Sequence, residues 1–373
     1  MVELRTICSI TSGQGAPQDN NEYVNGLHTF IKASDLDTII KDDSEVNSTK
    51  ITEQAIKKHN YKIFPKNTII FAKSGQSCKK NRVYLTKEKS CIVNHLCCLY
   101  DIDEKYDPKW LKLFVKSFNV TKLIRDDSYP SIALKDISCI QVPEIEITKQ
   151  REIVVLIDAM NRLLSNKKEQ LKQLDEVVKS RFIEMFGDVK NNDKNFFVKK
   201  GTDLFKFSSG KFLEATKRLE SGIPVYGGNG IAWYTSEPLI NFDTIVIGRV
   251  GAYCGNVRKI SGSNWITDNA IYIKEFKEKC FNLEFLEALM GEYDFAQFND
   301  AAAQPKITQK PMENLYYIVP PIELQNTFAE FVKQVDKSKF VNPLSQEFFM
   351  RNFYVFIIYH CITKGCINFC MPK

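Results

Sequence analysis

The sequence predicts an α+β protein that uses one module twice. Three observations carry this. First, three blocks recur: residues 67–75 (NTIIFAKSG) are answered by 243–251 (DTIVIGRVG), 91–95 (CIVNH) by 265–269 (WITDN), and 129–150 by 304–325. Their offsets are 176, 174 and 175 residues, too uniform for chance. Second, each copy mixes short β-branched runs, bounded by turn residues, with amphipathic stretches at helical spacing. Third, each copy runs on into a helix. A repeat this long is not a solenoid period of about 20–50 residues. It implies two whole domains related as a pseudo-two-fold repeat, and two related domains imply a bipartite target. Ser12-Gly13 and Ser209-Gly210 lie 197 apart, so the first copy carries a longer insertion before its strand block.

The elements follow in order. Each half opens with a β-like run and a turn, SGQGAP at 12–17 and SSGK at 208–211. Strands are expected at 69–74, 91–100 and 245–250, and helices at 108–118 and 283–298, where apolar residues step by three and four. Tyr129-Pro130 and Gln304-Pro305 precede strand-like runs and mark a further loop in each copy. YGGNG at 226–230 lacks the GxxxxGK[ST] arrangement and reads as a turn, not a phosphate cradle. The clearest element is 148–186. Its apolar positions Ile153, Ile157, Met160, Leu164, Leu171, Leu174, Val178 and Met185 step by 4, 3, 4, 7, 3, 4 and 7. That is a coiled-coil heptad with Lys167 as its polar seam position. Gly187 stops it. At 39 residues the helix would be roughly 58 Å long, the length of a spacer or a partner-binding rod. A second helix begins at 322 with Leu324, Phe328, Phe331 and Val335, and breaks at Asn342-Pro343. The expected division is 1–147 and 188–321 for the two domains, 148–187 for the central helix, 322–340 for a truncated second helix, and 341–373 for an atypical tail.

At 373 residues the chain has room for two domains and their helices. Its 44% hydrophobic and 26% charged residues are those of a soluble globular protein. The net charge of +6 permits a nucleic-acid partner without demanding one, so the placement of the charges decides. Eleven cysteines form no CxxC pair and are expected to be reduced, buried thiols of a cytoplasmic protein. No metal site is expected; Cys361, Cys366 and Cys370 lack metal-ligand spacing. The N-terminus carries no signal-peptide pattern, and the most apolar stretch, 354–362, is short of the roughly 20 residues that span a bilayer.

Basic and amide side chains cluster after the strand block of each copy. They are Lys73, Ser74, Gln76, Lys79, Lys80, Asn81 and Arg82 in the first, and Arg249, Tyr253, Asn256, Arg258 and Lys259 in the second. The Gly-rich loops add Ser12, Gln14, Lys211, Lys217, Arg218 and Asn229. Such groups read base edges in the major groove and hold phosphates. A single cluster of this kind is usually a solvated turn; two at matching places favour DNA contact. His95 is expected to be an interior or groove-side histidine. No NPPY or DPPY tetrapeptide, Walker motif or nuclease-like carboxylate cluster is found in the sequence.

The segment 150–188, with QREIV and LDEVVKSRFIEMFGD, resembles the central conserved region of specificity subunits of type I restriction-modification systems. IVPPIELQ at 318–325 resembles that family's entry from recognition domain into helix, and the similarity covers residues 1–340. The resemblance implies two similar target recognition domains linked by long coiled-coil helices, each reading one half of a split double-stranded DNA site. It implies partners too: two methyltransferase subunits on the helices, joined by restriction/translocase subunits. The chain itself would be non-catalytic and without cofactor, with S-adenosylmethionine, ATP and Mg on those partners. Two rival readings are a methyltransferase or nuclease with an unrecognised active site, distinguished by turnover of DNA, and a coiled-coil protein adaptor, distinguished by absence of salt-dependent DNA affinity.

Overall fold

The structure is a computed structural model that describes residues 1–298 and 306–340. The expected tail at 341–373 and the Gln304-Pro305 pair lie outside the described residues. The described residues divide into two compact units, one from Met1 to Ser165 and one from Asn166 to Phe340.

In the first unit a four-stranded antiparallel sheet has the order Ser9–Ser12, Leu96–Tyr100, Ile69–Ala72, Val83–Leu85. All four residues of Ile69–Ala72 are buried, which accounts for a continuous apolar run in place of alternation. A smaller sheet joins Lys50–Ile51, His28–Ile31 and Cys91–Ile92, the last pair parallel. The run 91–100 is therefore two strands and not the expected one. Asn94 and His95 sit exposed in its middle, and Leu96 N–H closes the turn on the carbonyl of Val93 at 3.0 Å. Burying two polar side chains without partners is costly, so the chain turns a corner there and crosses from one sheet to the other. The insertion adds helices Leu36–Asp42 and Glu53–His59. It is pinned by Glu22, which takes Lys58 at 2.7 Å and His59 at 2.9 Å. Lys58, then His59, hold the Glu22 carboxyl below its ordinary range.

The second unit repeats the main sheet in the same order: Phe205–Ser209, Ala270–Phe276, Thr244–Gly248, Val257–Ile260. Its smaller sheet has the order Gly230–Thr235, Ile223–Gly227, Ser263–Ile266, Ile240–Asn241, again with one parallel pair. YGGNG is the tip of a hairpin in which Gly227 faces Gly230. The expected helix at 283–298 is shorter: it runs Leu283–Gly291, and a 3-10 turn follows at Phe295–Phe298. Gly291 ends it, and the buried Tyr293 anchors the bend through a 2.8 Å hydrogen bond from its hydroxyl to the carbonyl of Tyr316.

The repeat extends to individual hydrogen bonds. Lys73 N–H donates to His95 O at 2.9 Å, and Arg249 N–H to Asn269 O at 2.9 Å. Ile132 N–H donates to Lys73 O at 2.7 Å, and Ile307 N–H to Arg249 O at 3.0 Å. Two buried glutamines match as well. Gln150 accepts from Asp107 N–H at 2.8 Å and donates to the carbonyls of Lys105 at 2.9 Å and Ile145 at 2.7 Å. Gln325 accepts from Asn282 N–H at 2.9 Å and donates to those of Cys280 at 3.0 Å and Pro320 at 2.8 Å. Asp107 and Asn282 are themselves the N-caps of Pro108–Phe118 and Leu283–Gly291. Each glutamine thus ties the root of a long helix to the start of a domain helix. Gln150→Leu removes the side-chain partner of three part-buried backbone groups, at about 1 kcal/mol each, the low end for an unmade hydrogen bond, because water reaches them in part. We expect loss of about 3 kcal/mol in the first domain, read as an earlier midpoint in denaturant unfolding. A change under about 1 kcal/mol would show that the staple is dispensable.

The long helix runs Ile147–Phe186, 40 residues. Gly187 leaves it at φ +69°. Of the heptad positions Ile157 is buried, and Ile153, Met160, Leu164, Lys167, Leu171, Leu174, Val178 and Met185 are half-buried, while most other positions are exposed. The helix is rooted at both ends. Val154 and Ile157 belong to the first core, and Phe182 and Phe186 to the second. Among the described residues, Met160, Leu164, Leu171 and Leu174 belong to neither core. The second helix runs Ile322–Phe340. It packs Phe328 on Phe182 and Phe186, and Lys339 bonds to Asp175 at 2.8 Å.

Candidate nucleic-acid interface

In the first unit, Ser9–Ser12 and Ile69–Ala72 both end where the 93–95 turn crosses between the sheets. Lys73 leaves its strand at this end, held on both sides by the two backbone hydrogen bonds above. Its side chain makes no hydrogen bond or ion pair among the described residues. Ser74 lies 2.8 Å from His95, Oγ to Nδ1. His95 is exposed, which excludes the interior one of its two expected settings, interior or groove-side.

The structure separates the rest of the first cluster. Gln76–Lys80 is a 3-10 helix that places Cys78 inward and Gln76 outward. Lys79 is 3.1 Å from the carboxylate of Asp127, and Lys80 is 3.6 Å from that of Asp37. Arg82 lies 2.7 Å from Asp37 with only 11% of its side chain exposed. Its hydrogen bond holds the Asp37 carboxyl below the ordinary range. Asn81 caps the 3-10 helix in the left-handed region and donates to Lys116 O at 2.8 Å. Gln14 spends its amide on the backbone of Asn60 and Lys62, and Ser12 is a half-buried strand residue. Arg82, Asn81 and Gln14 are thereby engaged in holding loops together; Gln76 is exposed, Lys73 is half-buried with its ammonium unpaired among the described residues, and Ser74 is half-buried against His95.

In the second unit the corresponding end gathers Arg249, the 267–269 turn and the 228–229 hairpin tip, where Gly228 packs against Asn269 and Gly248. Arg249 is half-buried; its Nη1 donates to Asp268 O at 3.4 Å, and its Nε has no partner. It borders a cavity of about 360 Å³ with Ser209, Ile271, Thr308, Gln309, Lys310 and Glu313. Tyr253, Asn256 and Arg258 are exposed, with the Arg258 guanidinium beside Gly230. Asn229 is exposed at the hairpin tip, and Lys211 and Lys217 are exposed. Lys259 instead faces the helix Leu283–Gly291, ion-paired to Glu284. Arg218 stacks 3.8 Å over Trp233 and donates to Leu213 O at 3.3 Å. Asn269 escaped the sequence reading although it is exposed on the turn equivalent to that of its counterpart His95; the signal was the alignment of CIVNH with WITDN.

Among the described residues no group of three or more His, Cys, Asp or Glu is placed to hold a metal ion, and no helix is long and apolar enough to cross a membrane. The described cysteines are free. Burial pushes the Cys8 thiol up to about 12 and that of Cys91 to about 11, whereas Cys139 is exposed, against expectation.

Comparison with known proteins assigns this architecture. The type I restriction modification DNA specificity domain matches residues 1–176 and again 185–346. The type I restriction enzyme EcoprrI specificity subunit of Escherichia coli is 23% identical over 306 residues, 77% of this chain and 75% of its own length. The MjaIX specificity subunit of Methanocaldococcus jannaschii is 33% identical over 96 residues, 26% of this chain and 22% of its own. Among solved structures, the type I S subunit from M. genitalium superposes with TM-score 0.56 at 18% identity, covering 96% of this chain and 95% of that one. A chain from a structural study of type I R-M complex assembly gives 0.58 at 15% identity, covering 98% and 97%. At these identities the superpositions speak for the fold alone. The doubled match across both units places the chain in the type I restriction-modification DNA specificity family, as a specificity subunit with two such domains.

Proposed function

We propose that this chain reads a bipartite double-stranded DNA site, one half per domain, and carries no catalysis of its own. One observation supports this above the others: the backbone clamp that presents Lys73 in the first domain presents Arg249 in the second. A basic residue held at one equivalent point of each domain, beside exposed amide and hydroxyl groups, is the arrangement that phosphate anchoring next to base reading requires. The long helix then serves two methyltransferase subunits, with Met160, Leu164, Leu171 and Leu174 as the docking seam, because the other expected seam positions are taken up by the domains, Ile153 and Ile157 by the first core and Val178 and Met185 by the second; restriction/translocase subunits join that assembly. S-adenosylmethionine, ATP and Mg act on those partners. The setting is the cytoplasm.

The test is a salt titration of duplex binding by the chain with and without its methyltransferase subunit. Each phosphate contact contributes about −0.9 to the slope of log K against log salt. Lys73→Ala and Arg249→Ala should each flatten the slope by about one and weaken all duplexes alike. Binding that is indifferent to salt, or turnover of DNA by the pure chain, would overturn the reading.

A further inference from the structure

The corner between the two sheets occupies the same place in both domains but carries different chemistry, His95 in one and Asn269 in the other. Each residue's carbonyl accepts the N–H of the clamped cation, Lys73 or Arg249, at 2.9 Å. Each corner is closed by the same hydrogen bond, Leu96 N–H to Val93 O and Ala270 N–H to Thr267 O, both 3.0 Å. Each corner is also joined to the end of the first strand: Gln14 N–H donates to Ile92 O and Lys211 N–H to Ile266 O, both 2.8 Å. The backbone at this point is thus fixed from three sides in both copies. A fixed backbone carrying an exposed polar side chain is what base reading needs, since a loose side chain pays ordering entropy on contact.

We infer that residues 95 and 269 are equivalent base-reading positions, one for each half of the DNA site, and that their difference helps make the site asymmetric. The inference rests on the DNA-reading assignment above and names where that reading takes place. The side chains are equipped for it in different ways. His95 is oriented by Ser74, whose Oγ lies 2.8 Å from Nδ1. In the tautomer that this inference assigns, the Ser74 hydroxyl donates to Nδ1 and the ring proton sits on Nε2. Nε2–H is then a donor on an exposed ring, matched to an acceptor edge such as N7 or O6 of guanine. Ser74 is a positioning residue in this scheme. Its counterpart by the repeat is Val250, which has no hydroxyl. The Asn269 side chain makes no hydrogen bond among the described residues, so both its donor and its acceptor are available. That pair matches N6 and N7 of adenine. Lys73 and Arg249, one step from the corner through a backbone hydrogen bond, lie where a phosphate contact sets the depth of approach.

The experiment maps methylated sites by single-molecule sequencing in cells that carry the full chain together with its methyltransferase subunit. His95→Ala should relax one position of one half-site by about tenfold or more and leave the other half-site unchanged. Asn269→Ala should do the same in the opposite half. His95→Asn should shift the relaxed position toward adenine, a result that a structural role for His95 does not produce. Ser74→Ala should loosen the same position as His95→Ala, and less. Thermal unfolding of each purified variant checks the fold. Both half-sites intact in both alanine variants would overturn the inference while leaving the DNA-reading assignment standing, because methylation at the original site persists. So would uniform loss of methylation from a variant whose unfolding midpoint is unchanged. Absence of a bipartite methylated site with the unaltered chain would instead defeat the underlying assignment.

Discussion

Phe186→Ala is expected to destabilise the second domain by about 3–5 kcal/mol, the usual range for removing a buried phenyl ring. The ring is fully buried. Its centroid lies 4.6 Å from that of Phe285, 5.0 Å from Phe182 and 5.7 Å from Phe328. Those partners come from three helices: the end of Ile147–Phe186, Leu283–Gly291 and Ile322–Phe340. One cavity therefore loosens three contacts together, two tilted and one edge-on, and each such aromatic pair is worth about 0.5–1.5 kcal/mol beyond its buried area. Denaturant unfolding followed by domain-resolved hydrogen exchange reads the result. Protection should fall across the second domain, while the first, whose core is separate, keeps its own. Equal losses in both domains would show that the two cores unfold as one.

That aromatic cluster also marks a limit of the sequence reading. The heptad steps from Val178 to Met185 and passes over Phe182 and Phe186, the two most buried residues of the last turns. A two-position seam describes a helix facing one neighbour. Where the helix enters a domain core it faces several, and the apolar stripe widens. The same distinction accounts for the candidate interface. Repetition was legible because buried strands and closely approached glycines restrict which residues fit at the same spacing in both copies, so Lys73 and Arg249, at the ends of those strands, stood out at one offset. The fate of the other cations was not legible. Arg82 is held by Asp37, 45 positions away in the first domain's insertion, and Lys259 by Glu284 on a neighbouring helix. A local charge cluster looks alike whether its partner is a phosphate or a carboxylate brought in by the fold. The corner at 93–95 was hidden for a related reason: apolar residues flank it on both sides, and hydrophobicity alone does not distinguish one long strand from two strands in different sheets.

The glycines at the ends of the first strands give the sharpest test of whether each domain reads its half alone. A Cβ on Gly13 would lie 2.0 Å from Ile92 O and 2.4 Å from Val93 O; on Gly210, 2.2 Å from Thr267 O and 2.4 Å from Ile266 O. These obstacles are backbone, so no side chain can swing aside, and the strand end must part from the corner. The separation breaks the Gln14 to Ile92 bond in one domain or the Lys211 to Ile266 bond in the other. Overpacking costs about 1–3 kcal/mol or more and the lost hydrogen bond about 1 kcal/mol, giving a destabilisation of about 3 kcal/mol confined to one domain. Recognition suffers more than stability does, because the displaced corner carries His95 or Asn269 and anchors the cation beside it. Gly13→Ala should relax or abolish one half of the methylated site with the other half intact, and Gly210→Ala should reverse the pattern. The double variant should lose specificity in both halves, with stability losses that add within about 0.5 kcal/mol, as independent sites do. If Gly13→Ala instead degrades both halves equally while the second domain retains its hydrogen-exchange protection, the halves are read jointly and the division of labour proposed for the two domains is wrong.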